Sequence, residues 1–307
     1  MADDAEQMTP IDDEAQRCGY VALVGRPNVG KSTLLNHLIG RKLSITSRKP
    51  QTTRHTVLGV ETLGAAQAIY VDTPGIHDGG GRAINRHMLR AATGALADVD
   101  IVVTVFERLR YGDDDARVVD LVRAARGRKL AVINKIDQLE ERERLLPHIA
   151  RLDELGVFEA IVPVSALRGT GLDDLKRQVL ERLPEGAHLF PADQFTDRTE
   201  RFIAGEIVRE KLMRRLGDEL PHRITVLVER FVDGNRIVEI DATIFVERDG
   251  QKAIIIGRNG SLLKSVGQDA RHDIEALIGR KVMLRLWVKV KAGWTNNESG
   301  LQRLGFD

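Results

Sequence analysis

Eight residues, Gly25-Arg26-Pro27-Asn28-Val29-Gly30-Lys31-Ser32, constrain the fold of this chain more than any other stretch. An apolar run, Tyr20–Val24, precedes them, and a helical-looking run from Ser32 to Ile39 follows. Strand, GxxxxGK[ST], helix is the setting that a phosphate-binding loop requires. The two glycines let the backbone wrap tightly. Its N–H groups and the positive end of the following helix then converge on phosphate oxygens. Lys31 is expected at the terminal phosphates and the Ser32 hydroxyl on Mg²⁺.

With 307 residues the chain can hold that domain and another, each with its own core. Apolar residues at 42% and charged residues at 30% exclude a disordered or membrane-embedded chain. No apolar run approaches the ~20 residues of a membrane helix. Residues 1–17 hold six acids and one base, which predicts a mobile acidic tail and not a signal peptide. The lone cysteine, Cys18, excludes an internal disulfide, fits a reducing cytoplasm and reads as packing.

From Gly19 to about Pro184, apolar runs alternate with amphipathic ones. Strands are expected at Gly19–Val24, Thr56–Glu61, Ala66–Asp72, Ile101–Phe106, Lys129–Asn134 and Phe158–Val164. Helices are expected at Ala83–Ala97, Asp114–Ala125, Glu140–Leu155 and Leu172–Leu183. The pattern predicts an α/β domain over residues 18–184, a mostly parallel sheet flanked by helices. Ligands of such sheets bind at the carboxyl ends of the strands.

Several loops fall there. Ser44–Arg54 is polar and hydroxyl-rich, and composition alone reads it as solvated. Its place after the first helix is where nucleotide switches put a loop whose threonine completes the Mg²⁺ shell. Thr52 and Thr53 compete for that role, and Thr53 is preferred, with Arg54 outside the shell. The third strand ends in Asp72-Thr73-Pro74-Gly75. Asp72 suits the outer Mg²⁺ partner, and Gly75 lets an N–H approach a terminal phosphate; the same residues also simply make turns. After the fifth strand comes Asn134-Lys135-Ile136-Asp137. A carboxylate there accepts both N1–H and the exocyclic amine of guanine, a pair adenine lacks, so a P-loop ATPase or kinase is disfavoured. Asn134 and Lys135 brace the loop and cover the base. Ser165-Ala166-Leu167 follows strand six and brings amides near the guanine O6.

A linker over residues 185–193 follows, with Phe190 and Phe195 as staples onto either domain. Then come a helix at Arg198–Leu216, strands at Arg223–Val232 and Arg236–Val246 joined by Asp233-Gly234-Asn235, and apolar residues leading to Gly257-Arg258-Asn259-Gly260. A helix at Ser261–Ile278 and a basic strand at Lys281–Val290 complete the unit. By itself GxxG reads as a tight helix–helix corner. Here Ile256 precedes it, Arg258 lies inside it, and Ser261 and Lys264 follow within one turn. The last strand alternates an apolar row with Lys281, Met283, Arg285, Trp287, Lys289 and Lys291, equally a solvated face or a phosphate-tracking surface. Trp287 and Trp294 can pack rather than stack on bases.

Together GRPNVGKS, PQTTR (Pro50–Arg54), DTPG, NKID and SAL resemble the translation-factor-related GTPases, and with the C-terminal half they resemble the bacterial Era family. The order helix, strand, strand, helix, helix, strand over residues 194–292 resembles an α+β, prokaryotic-type KH domain, which clamps single-stranded nucleotides with its GxxG loop. Residues 293–307 are left as a C-terminal tail. The resemblance implies a slow, Mg²⁺-dependent GTPase that binds GTP and GDP through Gly25–Thr33, Asp72–Gly75, Asn134, Lys135, Asp137 and Ser165–Leu167. It implies RNA contact through Ile256–Ser261 and Lys264. Its partners would be the small ribosomal subunit and the 3′ end of its rRNA, in subunit assembly and 16S rRNA 3′-end maturation. A monomer in the cytoplasm is expected, with peripheral contact at the inner membrane. A structural nucleotide, or a C-terminal domain that docks a protein, are the rival readings.

Hydrolysis departs from the Ras pattern. Ile76 stands where a water-orienting Gln follows the DxxG glycine, and it cannot hydrogen-bond water. His77 is read as solvated. The sequence instead resembles GTPases in which a phosphate-loop Asn, here Asn28, holds K⁺ against the phosphates. Asn28, Lys31, Thr53 and Gly75 are the expected catalytic set.

Overall fold

The computed structural model describes residues 15–47, 49, 51–76, 83–217 and 220–306. The expected acidic tail as far as Glu14, Arg48 and Pro50 of the polar loop, and His77 with the glycines after it lie outside these residues.

The first domain is built from β1 (Arg17–Val24), α1 (Lys31–Ile39), β2 (Val57–Leu63), β3 (Ala66–Asp72), α2 (Ala83–Gly94), β4 (Ile101–Glu107), α3 (Asp113–Ala124), β5 (Arg128–Asn134), α4 (Leu145–Asp153), β6 (Ala160–Pro163) and α5 (Leu172–Leu180). The sheet order is β2-β3-β1-β4-β5-β6, parallel throughout except for β2 against β3. Period-2 alternation sorts each strand between two helical layers. Val21 and Leu23 join Leu34, Leu35 and Leu38 of α1 and Leu175 of α5, while Ala22 and Val24 join Ala92 of α2 and Val118 and Val122 of α3. Strand order reverses about β1, so the loop leaving β1 opens into the crevice where such sheets bind ligands. The helix expected from Glu140 starts at Leu145, because Glu140–Arg144 offers only charge and no apolar face. The linker lies along this domain: Leu189 and Phe190 donate their N–H groups to Gln67 Oε1, at 2.9 and 3.0 Å.

The second domain contains α6 (Glu200–Arg215), β7 (Thr225–Asp233), β8 (Ile237–Val246), α7 (Asp249–Ile256), α8 (Ser261–Ile278) and β9 (Lys281–Val290). Its sheet runs β7-β8-β9, antiparallel then parallel. The parallel pair needs a crossover, and α7 with α8 supplies it. Ile240, Ala242 and Ile244 bury against Ile207 and Val208 of α6 and Ala270 and Ile274 of α8. The opposite sheet face meets solvent. There Arg285 pairs with Asp241 at 2.6 Å and Lys289 with Glu229 at 3.2 Å, so the basic row of β9 is largely neutralised. Trp287 on that face is 44% exposed.

Residues 293–306 correct the expectation of a tail. A helical turn at Trp294–Asn296 and a short helix, α9 (Glu298–Gln302), bury Trp294, Leu301, Leu304 and Phe306 against Ala83 and Ile84 of α2. The apolar side chains at this spacing have more to gain from that face than from water. The polar side of α6 is likewise covered, by the loop after α1. Arg209, 1% exposed, donates to the Thr52 carbonyl, and the buried Glu210 carboxylate accepts from Thr46 N–H at 2.9 Å. Arg54 Nη1 donates to the Ile224 carbonyl at 2.6 Å, and Lys42 pairs with Asp273 of α8 at 2.8 Å. Among the described residues no helix is long and apolar enough to cross a membrane.

Candidate nucleotide site and RNA-binding loop

A cleft of about 1050 Å³ opens at the carboxyl ends of β1, β3, β5 and β6. The loop Gly25–Ser32 forms its floor. Gly30, at the start of α1, has φ 103°, and an added Cβ would stand 2.3 Å from Asn134 Nδ2, so no other residue fits there. Lys31 is buried, and its ammonium donates to the carbonyls of Gly25 and Arg26 at 2.9 and 3.0 Å. Burial lowers its pKa to about 8, against the opposing charge of Asp72 and with a smaller push from Arg26. A cation thus waits at the loop before any anion arrives.

Three side-chain oxygen groups meet beside it. Ser32 Oγ lies 2.7 Å from Thr53 Oγ1 and donates to Asp72 Oδ2 at 2.7 Å. The other Asp72 oxygen is buried without a hydrogen-bond partner, and burial pushes the carboxyl above its usual range despite Lys31. An orphan carboxylate oxygen beside two hydroxyls fits a hard, oxygen-seeking cation such as Mg²⁺. No group of three His, Cys, Asp or Glu forms a metal cage among the described residues, so further ligands would come from phosphate and water.

At the other end of the cleft, Asn134 ties three loops together. Its Nδ2 donates to Val29 O at 2.9 Å, and its Oδ1 accepts from Lys135 N–H and Ala166 N–H at 2.7 and 2.9 Å. Asp137 is held by Ser165 Oγ at 2.6 Å. Lys135 Nζ reaches back to Asn28 O and to Glu107 Oε1, both at 2.7 Å. Ala166 and Leu167 line the wall above.

Of the residues expected here, Pro27, Asn28, Gly30–Thr33, Thr53, Gly75, Asn134, Lys135, Asp137, Ala166 and Leu167 line the cleft. Arg26 turns away to Glu107 and Asp115, at 3.1 and 2.9 Å. Val29 is core, Thr73 donates its hydroxyl to Leu23 O, and Pro74 is buried. Ile76 is buried in the sheet's core, and its N–H donates to Gly25 O at 3.2 Å. Sequence reading missed Glu107, which follows an apolar strand without a motif. It also missed Met213 and Arg214, which line the cleft from α6 of the other domain.

In the second domain, Gly257–Gly260 joins α7 to α8. Gly257 has φ 72°, and an added Cβ would stand 2.8 Å from Leu262 Cβ. Gly260 has φ 75° and open space beyond it. Arg258, Asn259, Ser261 and Lys264 are exposed around this tip, with Ile256 half-buried behind. The loop therefore offers bare backbone flanked by two cations.

Residues 20–135 match the family model of a 50S ribosome-binding GTPase, and residues 219–295 match that of a KH domain. GTPase Era of Pseudomonas aeruginosa PAO1 is 54% identical over 302 residues, covering 97% of this chain and 99% of that protein. GTPase Era of Ectopseudomonas mendocina ymp is 55% identical over 295 residues, covering 96% and 99%. Two solved structures superpose with TM-scores of 0.91 at 38% identity, over 95% of this chain and 99% of theirs. One is a variant of Aquifex aeolicus Era bound to GDP and AlF₄⁻; the other is Era with MgGDPNP and nucleotides 1506–1542 of 16S ribosomal RNA. A chain with this cleft, this loop and this extent of likeness belongs to the Era family of GTPases.

Proposed function

We propose that this protein binds and hydrolyses GTP in the first domain and grips the 3′ end of 16S ribosomal RNA with the second, as an assembly factor of the small ribosomal subunit. The observation that carries the reading is one cleft with a phosphate loop at one end and a braced carboxylate, Asp137, at the other. The 54% identical relatives named GTPase Era and the Era–16S rRNA complex support it.

Asp137 accepts the guanine N1–H and amine, and Ser165 holds its carboxylate in place for them. Asn134 keeps the base end and the phosphate end in register, and Lys135 covers the base. The amides of Gly25–Thr33 and the Lys31 ammonium hold the phosphates. Ser32 and Thr53, with Asp72 behind, would hold Mg²⁺, which when bound neutralises phosphate charge. Gly75 presents its N–H to the terminal phosphate. Asn28 would hold K⁺, which when bound would supply positive charge to the phosphates, the task of an arginine finger elsewhere. Arg258, Asn259 and Lys264 track the RNA backbone while the glycines let it come close.

The test is to cross-link RNA to the GTP-loaded protein in cells and sequence it, with GTP turnover measured in parallel. Reads concentrated at the 16S 3′ end and measurable turnover are expected. Reads scattered over unrelated RNA would remove the ribosomal assignment, and absent turnover would leave the nucleotide a structural one.

A further inference from the structure

Glu107 closes β4 at the rim of the cleft, outside every motif that names a nucleotide site. Both its oxygens are engaged. Oε1 accepts from Lys135 Nζ at 2.7 Å, and Oε2 accepts from Arg26 Nη2 at 3.1 Å. Arg26 continues to Asp115 on α3 at 2.9 Å, and Asp115 in turn accepts the Gly112 N–H at 3.0 Å. One carboxylate therefore joins a cation of the base-recognition loop to a cation of the phosphate loop. Burial works against its charge, yet the hydrogen bond and charge of Lys135, then those of Arg26, hold the carboxyl below the usual range.

A lysine ammonium has three donors and a flexible stem. Two of the Lys135 donors are fixed, one on Asn28 O and one on Glu107. That pins the tip of the side chain at a wall that Lys135 shares with Asn28 and Asp137, the base end of the cleft. Without the carboxylate the ammonium keeps a single neutral acceptor, and the stem regains rotamers that must be lost again on binding.

We propose that Glu107 is a positioning residue for guanine-nucleotide binding, holding Lys135 across the base end of the cleft and coupling it through Arg26 to the phosphate loop. The proposal rests on reading this cleft as the guanine-nucleotide site. Since the geometry involves neither Thr53 nor Gly75, the contribution is the same for GTP and GDP and separate from the hydrolytic step.

The experiment measures dissociation of fluorescent GDP and of a GTP analogue from the full chain, with single-turnover hydrolysis of bound GTP. Glu107→Gln is expected to speed dissociation of both nucleotides about tenfold, the scale of one charge-assisted hydrogen bond, with the single-turnover rate unchanged. Arg26 keeps Asp115, so the fold is expected to persist. Glu107→Asp, which keeps the charge on a shorter stem, is expected to recover part of the loss. In a Lys135→Met background Glu107→Gln is expected to cost nothing further. Unchanged dissociation, losses that multiply in the double variant, equal losses for Asp and Gln, or hydrolysis falling in step with affinity would each overturn the proposal. If Glu107→Gln does not fold, Glu107→Asp with and without Lys135→Met gives the same cycle. A parent protein that binds no guanine nucleotide would instead remove the underlying reading.

Discussion

Asp137 and Asn28 carry the two sharpest tests at the residue scale. The Ser165 hydroxyl orients the Asp137 carboxylate from one side, leaving it to face the cleft. Asp137→Asn replaces an acceptor by an amide suited to xanthine, which has an acceptor where guanine has an amine. Affinity for GTP is expected to fall by about a hundredfold or more while XTP gains; competition binding checks it, and a retained preference for GTP would remove the assignment. Ile76 is buried and apolar, so no side chain at that position orients the attacking water. Turnover is accordingly expected to be slow and faster in potassium than in sodium at matched ionic strength. Asn28→Ala is expected to abolish the difference, and equal rates in the two salts in the parent would take K⁺ out of the mechanism.

Elements divide into those that local sequence specifies and those that it does not. Six strands and the helices between them were legible because each strand is a short apolar run and each helix has one apolar stripe. The helix–strand–strand–helix–helix–strand order of the second domain was legible for the same reason. Ends were less so: β6 shrinks to Ala160–Pro163, since Phe158 is spent on the Phe106 ring at 5.7 Å outside the ladder. The cleft's motifs were legible because loop chemistry is local. Glu107 and the α6 face were not, since their partners lie far along the chain and no periodicity announces them. The Gly257–Gly260 loop belongs to this scale also. Replacing Arg258-Asn259 by Asp-Asp places two anions beside the bare backbone, and affinity for single-stranded RNA is expected to drop roughly tenfold or more. The GTPase domain is expected to stay folded, as nucleotide binding would report. Undiminished RNA affinity would remove the clamp.

The whole molecule is held as one by an interface that uses the loop carrying Thr53. Arg209 of the second domain bonds the carbonyl just before Thr53, while its charge and hydrogen bonds hold the half-buried Glu206 carboxyl below its usual range against the effect of desolvation. Removing Arg209 alone would strand that carboxylate, so the informative variant is Arg209→Met with Glu206→Gln. Its affinity for a GTP analogue with Mg²⁺ is expected to fall about five- to tenfold, with GDP affinity near that of the parent. An equal loss for both nucleotides would make the contact merely structural. On the other flank, Phe306 lies 4.5 Å from the His55 ring and beside α2, so Phe306→Ala is expected to loosen residues 293–306 and shift Trp294 emission to the red. Unshifted emission in a Trp287→Phe background would show the segment held without it. The Thr46 N–H belongs to one domain and its acceptor, Glu210, to the other. Such an amide trades its hydrogen for deuterium when this contact opens, so its exchange rate in each nucleotide state counts how often the loop and the second domain let go of each other.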